Sequence, residues 1–403
     1  MNINDANILH ECTSCQLCAA VCPKDAISIQ LNKEGFYRPF IDSERCIDCG
    51  ICVKVCYKYD SKLNLTTQQG AEEKKLFAAW AKDDALVKQT TSGGLGDLLA
   101  RELVKEGYKV VGVIYNEDKT RAEHRIASSL EETISFRGSK YIQSYTFTAF
   151  KEVIAMSTAQ KYAVFGTPCQ IYALNRFVER KKVRDNFIFI DLYCHGCPSL
   201  HIWTKYQKHV KEILGIRKFD KVEFRSKLKG WGGRYAMTMT KDDKVVFVNS
   251  PKNDGFFELF FCDQALNDAC ADCKLRSTLE YTDIRIGDFW GKKFLDNHRG
   301  VSAVSIVTAK GEQLFNSILN QVDFSECNHL ELLPNQSWGK TYHPDSNIRK
   351  AILDSLSNPN ETITDAVRAF RQRQGLKGTI VRLVKDVMYY LPQNVTTFLK
   401  KIK

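Results

Sequence analysis

At 403 residues the chain is longer than one ordinary domain, and two or three are expected. Its 44% apolar and 26% charged residues suit a globular chain with a real core, and no apolar run nears the ~18–20 residues a membrane helix needs. Of the formal charge of +11, the stretch from Arg368 onward supplies +8, nine Lys/Arg against the single acid Asp386, so the basic balance is a tail property and no nucleic-acid partner is expected.

In chain order, residues 1–66 are punctuated by cysteines, with Ile27-Ser28-Ile29 and Phe36–Ile41 as small strands. Residues 67–75 are polar and read as a linker. From 76 to about 200 strands alternate with helices: a helix from Leu95 to Val104, strands at Lys109–Tyr115, Tyr162–Phe165 and Phe187–Leu192, and a helix after Cys169. That alternation predicts a largely parallel sheet. Lys221–Arg225, Arg234–Thr240 and Lys244–Asn249 alternate as antiparallel hairpins. Beyond 345 the pattern is helical, and Leu376, Ile380, Leu383, Val384, Val387, Met388 and Leu391 share one face before Pro392. That face is expected either to pack on the core or to lie on an anionic membrane surface. The opening Met1-Asn2-Ile3-Asn4-Asp5 lacks a secretory pattern, so a cytoplasmic setting is expected, with membrane contact at the inner surface as the tail's second option.

Eight of the fifteen cysteines form two runs, Cys12-x2-Cys15-x2-Cys18-x3-Cys22-Pro23 and Cys46-x2-Cys49-x2-Cys52-x3-Cys56. Three thiolates spaced by two residues can wrap one cubane, while the fourth reaches the other one. Cys12, Cys15, Cys18 and Cys56 are therefore expected to hold one 4Fe–4S cluster, and Cys46, Cys49, Cys52 and Cys22 the second. Zinc or disulfides explain two four-member runs poorly. Tyr57 stands where a second proline usually follows the fourth cysteine.

Further on, Cys169 follows Gly166-Thr167-Pro168, Cys194 and Cys197 sit just past the next strand, and Cys270-x2-Cys273 forms another pair. Loops leaving adjacent parallel strands gather at one edge. A third cluster is expected from Cys169, Cys194 or Cys197, Cys270 and Cys273, with Cys262 and Cys327 structural. Clusters move electrons singly and organic substrates exchange pairs, so a converter such as a flavin is expected. Ser92-Gly93-Gly94 at the start of a helix, and Gly138-Ser139-Lys140-Tyr141-x-Gln143-Ser144, could approach its phosphates. His195 reads as a proton donor or a loop anchor, Lys229-Gly230-Trp231-Gly232-Gly233 as a ring contact or a packed corner, and Asp288 as a cofactor contact or a cap.

Taken in order, Ser92-Gly93-Gly94, Gly138-Ser139-Lys140-Tyr141, Gly166-Thr167-Pro168-Cys169-Gln170, Cys194-His195-Gly196-x-Pro198-Ser199, Cys270-x2-Cys273 and Gly287-Asp288-Phe289-Trp290-Gly291 resemble the coenzyme F420 hydrogenase/dehydrogenase beta-subunit family. A two-cluster ferredoxin domain is fused in front. The resemblance implies FAD and one 4Fe–4S cluster in the main domain, with Ser92, Gly93, Gly94, Ser139, Lys140 and Tyr141 at the FAD. It also assigns Cys169, Cys194, Cys270 and Cys273 to the third cluster, although Cys197, where the family is usually apolar, leaves that choice open. The fold expected is α+β and α/β: a bacterial-ferredoxin-like domain (1–66), a mixed, partly parallel-sheet flavoprotein domain (76–345, dividing near 160) and a helical basic tail (346–403). The function expected is an iron–sulfur flavoprotein oxidoreductase working between a small organic substrate and a redox protein such as ferredoxin. A deazaflavin dehydrogenase or hydrogenase subunit and a non-catalytic electron-transfer subunit are the alternatives.

Overall fold

The computed structural model describes residues 1–4, 11–391 and 395. Its strands are β1 Ile27–Leu31, β2 Tyr37–Ile41, β3 Lys75–Ala81, β4 Lys109–Asn116, β5 Arg121–Ala127, β6 Ser144–Tyr145 and β7 Tyr162–Gly166, then β8 Phe187–Leu192, β9 Lys221–Ser226, β10 Ala236–Lys241, β11 Lys244–Asn249, β12 Ile284–Asp288, β13 Ser302–Ile306 and β14 Val322–Cys327. Nine of them form one sheet in the order β14-β3-β13-β12-β8-β7-β4-β5-β6. The centre, β12-β8-β7-β4, is parallel, and β13, β3, β14 and β5 flank it antiparallel. β7 and β8 read Tyr-Ala-Val-Phe-Gly and Phe-Ile-Phe-Ile-Asp-Leu, almost wholly buried runs, because helices cover both faces of a parallel sheet.

The hairpin region is a separate sheet, β11-β10-β9. Its first and third strands lie where the alternation put them, but the second starts later. Gly232–Arg234 forms a 3-10 turn, and pairing begins at Ala236. The segment expected as a linker holds a helix, Gln68–Glu72, capped by the Thr67 hydroxyl, and its Ala71 packs beside Leu76 and Trp231.

The N-terminal segment is not a bead on a string. Leu17, Ala20, Val21, Val55 and Tyr57 share one apolar cluster with Phe150, Tyr172 and Phe189 of the main domain. A polar seam aligns the two. The Gln16 carboxamide oxygen accepts from the amides of Thr146 (2.9 Å) and Phe147 (3.0 Å), and its nitrogen donates to Ser144 O. Gln143 answers from the other side, accepting from Tyr37 N and donating to Gly35 O and Pro198 O.

The C-terminal helices are Ser346–Ser357 and Ile363–Tyr390, the second interrupted at Gly375 (φ 63°, ψ −158°). Before the interruption Ile363, Ala366, Val367 and Phe370 are buried; after it Leu376 is 83% exposed and Ile380, Leu383, Val384 and Val387 are exposed too. From Leu376 to Val387 that face is therefore not packed on the core, whereas at the helix end Leu391 is half-buried and its carbonyl accepts from Arg234. The expected role of Pro392 and the last cations, Lys400, Lys401 and Lys403, fall outside the described residues. Among the described residues no helix is long and apolar enough to cross a membrane.

The seam makes a prediction. Gln16→Ala strands two enclosed amides at about 1–3 kcal/mol each. The melting temperature should fall, and amide exchange over residues 11–58 should rise more than in the central sheet. Uniform or unchanged exchange would mean that apolar packing alone positions the segment.

Candidate iron–sulfur and cofactor sites

The two N-terminal runs come together in the crossed manner. Cys56 lies in the electrostatic field of Cys15 and Cys12, and Cys52 in that of Cys49 and Cys22. Cys22, Cys46, Cys49 and Cys52 line one small cavity with Pro23, Ile27 and Gly50. Short turns permit this: Gln16 and Gly50 adopt left-handed backbone (φ 63° and 72°) just before the helical turns Leu17–Ala20 and Ile51–Lys54. Burial and neighbouring sulfurs push the Cys18 thiol well up and Cys15 to about 11. Sulfurs grouped in this way fit the ligand set of a 4Fe–4S cluster in each group, and the cationic core of a bound cluster would favour their thiolate form.

Tyr57, the departure from the proline pattern, is a contact to the main domain. Its ring packs edge-on to Tyr172 at 5.8 Å, and its hydroxyl accepts from the Lys274 amide at 3.1 Å, beside Cys273.

The main-domain cysteines meet at the carboxyl edge of the parallel strands. Cys169 follows β7 and starts the helix Pro168–Arg180; Cys194 and Cys197 follow β8. The loop carrying Cys270 and Cys273 folds over that edge, held by Asn267 N to Cys197 O (2.8 Å), and the Cys197 amide donates to Cys270 Sγ (3.3 Å). Burial is the largest cause of every shift, and the sulfurs raise one another: Cys194 rises to about 11, Cys270 to about 12, and Cys169 and Cys197 well above the usual thiol. Five sulfurs thus share one enclosure, one more than a cubane needs. Cys15 of the N-terminal segment acts on Cys169. Cys262 and Cys327 instead donate to the nearby carbonyls of Leu259 and Ser325.

A large cavity, about 710 Å³, opens between the β4–β5 hairpin, the loop 134–140 and β9. Thr90, Thr91, Gly138, Ser139 and Lys140 line it. Gly138 is left-handed (φ 79°), and the Ser139 amide donates to Thr91 Oγ1 at 2.8 Å. The Lys140 ammonium donates to the carbonyls of Phe136 and Arg137, and burial pushes it down to about 7. The Ser-Gly-Gly turn lies elsewhere. Ser92 Oγ donates to Val301 O, the Gly93 amide donates to Ser302 Oγ, and Gly94 (φ 89°) caps the helix Leu95–Lys105. A Cβ on Gly93 would stand 2.5 Å from Ala79 O, so its close approach is to β3 of the sheet.

Sequence reasoning passed over Arg225 on the cavity wall. Its buried guanidinium donates to Asp288 (2.6 Å) and to the Tyr141 hydroxyl (2.8 Å), while Nε and Nη2 have no protein partner. Asp288 also accepts from Trp231 Nε1 at 3.0 Å, so it is neither a cap nor free. Trp231 stacks on Trp290 at 5.7 Å, as a packed corner. His195 is anchored by Asp263 (2.7 Å) and the Tyr342 hydroxyl (3.0 Å).

Residues 76–151 match the N-terminal part, and residues 159–328 the C-terminal part, of the family described as "Coenzyme F420 hydrogenase/dehydrogenase, beta subunit"; residues 11–58 match a "4Fe-4S dicluster domain". The chain belongs to this beta-subunit family. It is similar to a subunit of the F(420)H(2) dehydrogenase of Methanosarcina mazei, 26% identical over 78% of this chain and 84% of that protein. The beta subunit of the coenzyme F420 hydrogenase of Methanococcus voltae is 24% identical over 61% of this chain and 81% of its own. Among solved structures, a chain of the F420-reducing [NiFe] hydrogenase complex from Methanosarcina barkeri covers 78% of this chain and 92% of its own, with a TM-score of 0.46 and 17% identity. A redox role and iron–sulfur chemistry follow from membership and the dicluster domain.

The crossed grouping is testable in the intact chain. Cys22→Ser should lower bound iron by about four per chain and abolish the cluster signal of the Cys46 group rather than that of its own run. Loss confined to the Cys12 group would reverse the pairing.

Proposed function

We propose that this chain is the electron-transfer beta subunit of an oxidoreductase that exchanges a hydride with a reduced deazaflavin of the F420 type. The carrying observation is the nearness of the N-terminal Cys15 to Cys169 of the main-domain sulfur group, in a chain with relatives named for coenzyme F420. A flavoprotein acting on another organic substrate is the wider reading. Two main-domain cofactors complete the proposal: a 4Fe–4S cluster on four of Cys169, Cys194, Cys197, Cys270 and Cys273, and FAD in the large cavity.

Bound flavin supplies the conversion between a two-electron carrier and one-electron centres. The residues of this chain do the rest. Thr91, Ser139 and the Gly138 backbone offer donors to phosphate oxygens, and Lys140 supplies a positive charge that burial leaves half-protonated near neutrality. Arg225, held by Asp288 and packed over the Tyr235 and Trp290 rings, keeps two guanidinium nitrogens without a hydrogen-bond partner among the described residues. Ser92, Gly93 and Gly94 follow the wall residues Thr90 and Thr91 and fasten to Val301 and Ser302, and Tyr141 accepts from Arg225. One-electron protein partners, ferredoxin among them, receive or deliver the electrons. The tail is proposed to rest on an anionic membrane: its exposed apolar stripe from Leu376 lies in a stretch whose sequence also carries Lys377, Arg382 and Lys385.

Anaerobic purification with cofactor extraction tests the centre of this reading. About twelve irons and one flavin per chain are expected; protein without flavin after incubation with FAD would leave an electron carrier only. Flavin affinity should weaken as pH rises above about 7, because Lys140 then loses its charge, and Lys140→Met should flatten that dependence. An unchanged pH profile in the variant would remove Lys140 from the site. The full chain should cosediment with anionic vesicles, less at high salt, and a chain ending at Gln374 should not; equal sedimentation of both would dismiss the tail.

A further inference from the structure

The loop 262–283, which carries Cys270 and Cys273, is rich in charge, and nearly all of that charge is matched. Asp263 holds His195, Asp268 pairs with Arg349, Asp272 with Lys274 and Asp283 with Arg184. Glu280 is exposed and accepts from Thr66 Oγ1. Beneath the same edge Arg285 and Asp191 offset one another as a buried pair. Arg276 is the exception. It is 4% exposed, and among the described residues no carboxylate pairs with it. Its guanidinium donates to the carbonyls of Lys340 and Cys270 and lies 4.5 Å over the Tyr342 ring.

A guanidinium stays charged in a protein, and burying one without a counter-charge is costly. Carbonyl oxygens and an aromatic ring offer partial charge, not a full negative one. The groups left to balance Arg276 are the sulfurs beside it. Its field favours the thiolates of Cys194, Cys270 and Cys273, and after burial it is the largest influence on Cys273. Arg38, half-buried on β2, adds a second cation toward Cys197. The N-terminal groups are placed differently. The cation acting on Cys56 is Lys58, whose ammonium lies over the Tyr59 ring, and beside Cys46 stand Asn2 and the carboxylate of Asp48.

We infer that Arg276 is the counter-charge of the main-domain cluster and makes that cluster the highest in potential of the three. The inference rests on the reading that four of the five sulfurs at this edge hold a 4Fe–4S cluster. A 4Fe–4S core held by four thiolates is an anion and becomes more negative on reduction, so a fixed buried cation beside it favours the reduced form. The first electron to enter the chain therefore settles at the main-domain edge, and the N-terminal clusters fill after it. Arg276 acts through the field it sets at the sulfurs, as a positioning residue.

The test is a stepwise redox titration of the full-length holoprotein, followed by the paramagnetic signal of each reduced cluster. Cys270→Ser combined with Cys273→Ser leaves three sulfurs at the edge and so identifies the main-domain signal. In the wild type that signal should appear first. Arg276→Gln should keep the bound iron and lower the main-domain midpoint by about 59 mV, a loss of about tenfold in the reduced form at fixed potential, with both N-terminal midpoints unmoved. Arg276→Lys, which restores the charge but not the planar fork, should recover most of that shift. An unmoved midpoint in Arg276→Gln, equal shifts in the Gln and Lys variants, or a main-domain signal that follows an N-terminal one in the wild type would overturn the role. If Arg276→Gln costs the cluster, the wild-type order of reduction decides. Wild-type protein holding only about eight irons would instead refute the third cluster itself.

Discussion

Two buried glutamines carry the geometry on which everything else depends. Gln16 and Gln143 place their carboxamides across the boundary between the cysteine-rich segment and the sheet, each using both its acceptor and its donor. Apolar packing at this boundary is extensive but permits sliding; paired carboxamide bonds have direction and one register. With that register set, Cys15 comes beside Cys169 and Tyr57 reaches the amide following Cys273. A proline at position 57 would fix a turn. A tyrosine there joins two domains instead.

The parallel sheet does the second part of the work. β7 and β8 are neighbours with the same direction, so the turns after Gly166 and Leu192 emerge together and bring Cys169 to Cys194 and Cys197. The remaining cysteines arrive on a loop with little regular structure, fastened by hydrogen bonds to the Cys197 backbone and by Arg276, which grips the Cys270 carbonyl. Deeper still, Arg285 and Asp191 form a fully buried ion pair beneath the same edge. Charged groups in this setting serve positioning, since desolvation offsets most of their attraction.

An aromatic row links the two halves of the main domain. Tyr141 meets Phe260 at 5.2 Å, Phe260 meets His195 at 5.6 Å, and His195 meets Tyr342 at 5.1 Å. Tyr141 in turn takes a hydrogen bond from Arg225 on the cavity wall. The cavity and the sulfur enclosure are thus parts of one packed body. A substitution in the Tyr-Phe-His row would be felt at both ends, because a close-packed interior has no slack to absorb it.

By itself the sequence determined what local spacing and periodicity can determine. Cysteine spacing pointed to two crossed groups, because three short turns and one reach leave few other arrangements. Apolar runs with intervening helices specified β4, β7 and β8, three of the four central parallel strands, to within a residue or two, since burial on both faces leaves a continuous signal; β12 was not foreseen. Motif order specified the family. Tertiary structure alone decided the rest, and the reason is that its contacts join residues far apart in the chain. Ser92 and Gly93 looked like a phosphate turn, yet their polar groups are engaged by Val301 and Ser302 of a distant loop and strand. Gln143 looked like part of a cofactor loop and is a domain fastener. Arg225 carried no signal among the many charges of an exposed-looking hairpin, because only the fold encloses it among Tyr141, Tyr235, Trp290 and Asp288. The tail shows the same limit from the other direction: periodicity announced an apolar face, but whether that face meets a core is a question of where Gly375 turns the helix, and it turns it away.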